Sequence, residues 1–143
     1  MPHPLKQSIE DALQAYSPLR TSRSEISVRV DDGQVTLSGY VPSTSMQRMA
    51  ALLAGNVEGV NEVVNELVAD PDLERSVAVA LAADERTRPW PIRVRSEIGC
   101  VQLQGQAPDE ATLQAALDVA RKVKGPRQIV NALKVGQPLP RAA

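Results

Sequence analysis

The sequence predicts an α+β protein built from two tandem αββαβ domains, each a small three-stranded mixed sheet packed on two helices. Two observations carry this. First, the chain repeats itself: "VTLSGYVP" at 35–42 returns as "VQLQGQAP" at 101–108, so Val35, Leu37, Gly39 and Pro42 recur as Val101, Leu103, Gly105 and Pro108. The offset of 66 also pairs Ile26 with Ile92, Ala50 with Ala116, Gly59 with Gly125 and Asn65 with Asn131. Second, each repeat switches from helical to strand periodicity in the same order.

Leu5, Ile9, Ala12, Leu13 and Tyr16 recur at helical spacing, as do Leu73, Val77, Ala80 and Leu81. Here the offset is 68, so the second repeat is two residues shorter before its first strand. Insertions belong in loops, which places a loop there. Asp70 is a good N-cap with Pro71 at the first helical position. The boundary falls at "ADPD", giving domains at 1–69 and 70–136 and a flexible tail at 137–143.

Strict alternation follows. Ile26, Val28 and Val30 face one way and Ser27 and Arg29 the other; Val35 and Leu37 alternate with Thr36 and Ser38. A glycine marks each hairpin, in "DDGQ" and "EIGC". A β-branched residue resists positive φ, so a three-residue turn with a G1 bulge is expected in both, leaving Ile98 at an exposed tip. Ser43 and Asp109 are N-cap candidates for the next helix. Its stripe is Met46, Met49, Ala50 and Leu53 in one repeat and Leu113, Ala116, Leu117 and Ala120 in the other. In the last strand Val63, Asn65 and Leu67 share the core face, which makes Asn65 and Asn131 buried amides in need of partners.

Composition narrows the function. The 143 residues carry a formal net charge of −1, which argues against a nucleic-acid partner. One histidine, His3, and one cysteine, Cys100, cannot build a Cys/His zinc site or a nucleophile–histidine pair. Acidic pairs such as Asp31-Asp32 sit in turns, where Asp is expected anyway. No enzyme activity and no cofactor are expected. No stretch approaches the roughly 20 apolar residues of a membrane span. The opening residues lack an apolar leader, so a cytoplasmic protein is expected, or a periplasmic one if a leader has been removed.

The phrase Gly33, Val35, Leu37, Gly39, followed by Val57, Gly59, Val60, Val63 and Asn65, resembles the BON domain. The second repeat carries it as Gly99, Val101, Leu103, Gly105, Val123, Gly125, Ile129 and Asn131, departing at Pro126 and at the Ile98 turn. The resemblance covers nearly the whole chain. It implies a phospholipid-binding or interaction module of bacterial envelope and stress proteins, with no catalytic motif to carry over.

Two readings of function follow. The first is association with a phospholipid surface or a protein partner through Trp90, Arg93, Arg95, Ile98 and Lys134. Trp90 sits in "RPWPIRV" where the first repeat has Ser24. Arg93, Arg95 and Lys134 belong to the open face of the second sheet. The alternative is a structural, homo-oligomeric or ion-sensing module without lipid binding. In that reading Val64, Val68 and Val130 on the open faces make interdomain or oligomer contacts, and Trp90 is a packing wedge.

Overall fold

The computed structural model describes residues 4–136; His3 and the expected tail at 137–143 lie outside the described residues. The chain divides into two compact units between Asp70 and Pro71. The first unit runs α1 (Pro4–Ala15), α2 (Ser17–Thr21), β1 (Glu25–Asp31), β2 (Gln34–Val41), α3 (Thr44–Gly55) and β3 (Glu62–Ala69). The second runs α4 (Asp70–Ala83), β4 (Ile92–Glu97), β5 (Cys100–Ala107), α5 (Glu110–Lys122) and β6 (Gln128–Val135). Each unit holds one three-stranded sheet, in the order β1-β2-β3 or β4-β5-β6. The hairpin pair is antiparallel and the pair reached through the second helix is parallel. This is the mixed α+β arrangement that the repeated periodicities predict.

The same positions build both cores. Ile9, Leu13, Val35, Leu37, Ala50, Ala54 and Leu67 are buried in the first unit, and their equivalents Val77, Leu81, Val101, Leu103, Ala116, Ala120 and Leu133 in the second. Ser43 and Asp109 cap as expected. The Ser43 hydroxyl accepts from the Met46 N–H at 3.1 Å, and the Asp109 carboxylate from the Thr112 N–H at 2.8 Å. Gly39 lies opposite Ile26, and Gly105 opposite Ile92. Their φ values are 121° and 128°. A Cβ at Gly105 would meet the Pro91 carbonyl at 2.9 Å, and one at Gly39 would run into the Glu25 carbonyl. The positive φ and the close backbone approach both require glycine there.

Three expectations need correction. Both hairpins are two-residue turns rather than bulged ones: Asp31 pairs with Gln34 and Glu97 with Cys100. Both central residues of each have positive φ, 49° and 82° at Asp32-Gly33 and 43° and 84° at Ile98-Gly99, as type I′ turns require. The close pairing of the flanking strands overrides the preference of isoleucine, and Ile98 is half-buried, not exposed. Asn65 and Asn131 are exposed rather than buried. They still do structural work on the edge strands: Asn65 Oδ1 accepts from the Leu67 N–H at 3.2 Å and Asn131 Oδ1 from the Leu133 N–H at 2.9 Å. Asn65 Nδ2 also donates to the Gln47 carbonyl at 3.0 Å, joining β3 to α3. Finally, the longer connection of the first repeat folds into the short helix α2, which pins Leu19 in the core. In the second repeat Thr87 takes that place, fully buried, with its hydroxyl donating to the Leu81 carbonyl at 2.6 Å.

Candidate functional site

Alternation along β4 turns Ile92 inward and leaves Arg93, Arg95 and Glu97 exposed. Register then places neighbours beside them. Arg95 lies opposite Gln102, which pairs with Val130; Arg93 lies opposite Gln104, which pairs with Ala132; Gln106 pairs with Lys134. The outer face of the second sheet is therefore a polar glutamine centre between a basic strand and Lys134. Three cations stand against one carboxylate, Glu97. Arg93, Arg95 and Lys134 are all exposed, and so is Val130.

The other expected contacts lie elsewhere. Val64 and Val68 are half-buried on the outer face of the first sheet, in register with Thr36 and Tyr40. Ile98 sits at the hairpin tip and Trp90 before the start of β4, so about 20 Å of strand separates them. Trp90 is half-buried, and its backbone N–H donates to the Thr87 carbonyl at 3.1 Å. It lines a small pocket of about 40 Å³ with Ala78, Leu81 and Ile92, on the helix side of the sheet. The structure thus brings Arg93, Arg95 and Lys134 onto one face and puts Trp90 behind it.

The equivalent place in the first unit is open. There Ser24 replaces the indole, and a cleft of about 320 Å³ is lined by Leu13, Leu19, Ser24 and Ile26. The signal for this cleft was the Ser24/Trp90 mismatch inside an otherwise regular repeat.

Hydrogen bonds from the Arg86 side chain and N–H hold the pKa of Asp84 down at about 2. The ion pair between them measures 2.9 Å and lies in the turn after α4. The Thr112 N–H lowers Asp109 as a helix cap. Among the described residues no group of His, Cys, Asp and Glu is placed to hold a metal ion. No described helix is long and apolar enough to cross a membrane.

Similarity to known proteins agrees with this architecture. The chain is 29% identical over 141 residues to the outer membrane lipoprotein DolP of Haemophilus influenzae, covering 91% of this chain and 72% of that protein. It is 30% identical over 124 residues to the osmotically-inducible protein Y of Escherichia coli, covering 78% of this chain and 62% of that protein. In fold it resembles the C-terminal domain of CdsD, a structural protein of the type III secretion system of Chlamydia trachomatis. The TM-score is 0.70 at 15% identity, over 94% of this chain and 66% of that one. The expectation of a cytoplasmic protein is overturned by this comparison, because a relative matched along most of the chain is an outer membrane lipoprotein. That expectation rested on the opening residues, and kinship outweighs them. The BON domain matches at residues 3–71 and again at 69–137, so nearly every residue is accounted for, and the chain belongs to the BON domain family.

Proposed function

We propose that this chain is a non-catalytic binding module that associates with anionic phospholipid surfaces of a bacterial envelope through the outer face of its second sheet. The observation that carries the reading is the cationic excess of that face, where Arg93, Arg95 and Lys134 outnumber Glu97. Kinship with an outer membrane lipoprotein supports the setting. Each basic residue near an anionic leaflet contributes about 1 kcal/mol. A face with a net excess of two gives weak, reversible and salt-sensitive binding, which suits a module that samples a surface rather than anchors in it. Ile98, half-buried in the turn that follows β4, is taken in this reading as an apolar contact at the hairpin end. Trp90, packed behind the sheet, belongs to the fold in this reading.

The test is co-sedimentation with vesicles of phosphatidylcholine alone and of phosphatidylcholine mixed with phosphatidylglycerol. The wild-type chain is expected to pellet with the anionic vesicles only, and to be released by salt. The double variant Arg93→Glu, Arg95→Glu is expected to stay in the supernatant. Equal binding of the two proteins, or indifference of the wild type to lipid charge, overturns the proposal.

A further inference from the structure

The outer face of the first sheet has the same geometry as that of the second and the opposite charge. Its rows are Arg29, Thr36 and Val64; Ser27, Ser38 and Glu66; and Glu25, Tyr40 and Val68. Asp31, Gln34 and Glu62 complete it at the hairpin end. One cation thus stands against four carboxylates, a net of three negative charges on a face where the second sheet has an excess of two positive ones. Alternation leaves Glu25, Arg29, Asp31, Glu62 and Glu66 all exposed. The inversion arises at matched positions. Ser27 becomes Arg93, Glu66 becomes Ala132, Val68 becomes Lys134 and Glu62 becomes Gln128, while the core positions between them stay apolar. Val64 and Val130 keep an apolar spot at the same place on each face.

We propose that the acidic outer face of the first sheet is a docking surface for the basic outer face of the second sheet in a second copy of this chain. Two sheets pack face to face at about 10 Å, a gap that facing Glu and Arg side chains can span. Opposite charge brings the faces together and sets which face meets which, since two acidic or two basic faces repel. The contact is heterologous, so every chain offers both halves of it. Each three-stranded face covers roughly 300 Å² of sheet, from strand spacing and rise. That is well below the roughly 800 Å² per partner of a standard interface, so the association is weak and salt-sensitive. It also occupies the face assigned above to lipid, so self-association and vesicle binding exclude each other. The docking itself does not depend on that lipid reading.

The test is sedimentation equilibrium of the full chain without lipid, from micromolar to sub-millimolar concentration, at low and high salt. The wild type is expected to gain mass with concentration at low salt and to lose that gain at high salt. The variants Glu62→Lys, Glu66→Lys and Arg93→Glu, Arg95→Glu are each expected to weaken association about tenfold or more, since each sets like charge against like. Mixing the two variants is expected to restore it, because the untouched basic face of one meets the untouched acidic face of the other. A folding defect does not produce that rescue. A wild type that stays monomeric at every concentration, or variants that associate as the wild type does, overturns the proposal. If vesicles are ignored by every chain while mixing still rescues association, the lipid reading fails and the docking stands. The Glu62→Lys, Glu66→Lys chain keeps the lipid face and is expected to bind anionic vesicles at least as well as the wild type.

Discussion

Ile98 holds a φ of 43° at the first central position of a type I′ turn, where the first repeat has Asp32 at 49°. Aspartate tolerates this conformation, whereas a β-branched side chain crowds the neighbouring carbonyl, at about 1–2 kcal/mol per residue. Ile98→Asn is therefore expected to stabilise the second unit by about 1 kcal/mol and to raise its melting temperature by several degrees. A thermal melt checks this, and an unchanged or lower midpoint would show that packing of the isoleucine outweighs the strain. Strain held by the surrounding structure is a mark of residues kept for contact rather than for folding. The same variant is thus expected to bind anionic vesicles more weakly while being more stable, a split that a purely structural isoleucine does not produce.

Capping separates the two repeats at the level of elements. Helix α3 is capped by a hydroxyl and α5 by a carboxylate. Ser43→Ala removes the acceptor for the Met46 N–H and is expected to lower the stability of the first unit by about 1 kcal/mol at any pH, read by chemical denaturation. The Asp109 cap depends on pH. Its folded pKa lies below its unfolded value because the Thr112 N–H favours the carboxylate. Its stabilisation is present above the unfolded value of about 3.9 and is lost as pH falls through the folded one. Asp109→Asn keeps an acceptor and is expected to flatten that part of the pH profile, which denaturation at pH 7 and pH 3 would reveal. These caps, the strands and the core residues were legible in the sequence because each obeys a local period or a local hydrogen-bond rule. The turn type was not. The rule against positive φ at isoleucine is local, while the register that enforces it comes from pairing across β4 and β5. Nor was α2, since five residues show no period. Asn65 and Asn131 were placed on the right strand, but alternation does not say that the helix leaves that edge uncovered.

At the scale of the whole molecule the chain is two small cores in series. A domain of about 60 residues buries only about 60% of its unfolded surface and has little stability to spare. Leu37 and Leu103 are each fully buried at the centre of their unit. Leu37→Ala is expected to cost 2–5 kcal/mol, enough to open the first unit, and Leu103→Ala the same for the second. Hydrogen exchange resolved by segment checks this: protection is expected to fall in the unit that carries the change and to persist in the other. A uniform loss would mean that the two cores unfold as one. The candidate site is also a property of this scale. Arg93, Arg95 and Lys134 were all readable as one face from the alternation, and the strand register adds which glutamine stands beside each. The charge inversion between the two sheets becomes visible only when the repeats are laid over each other position by position.

One indole, seated behind β4, makes the molecule optically lopsided. The chain has a single tryptophan, and it belongs to the second unit. Intrinsic fluorescence excited at the red edge therefore watches half of the protein and is blind to the half built around Leu37. An unfolding curve followed by emission is expected to report the second core alone, while circular dichroism averages both. Where the two curves part, the distance between their midpoints is about half the difference between the midpoints of two halves that carry the same phrase.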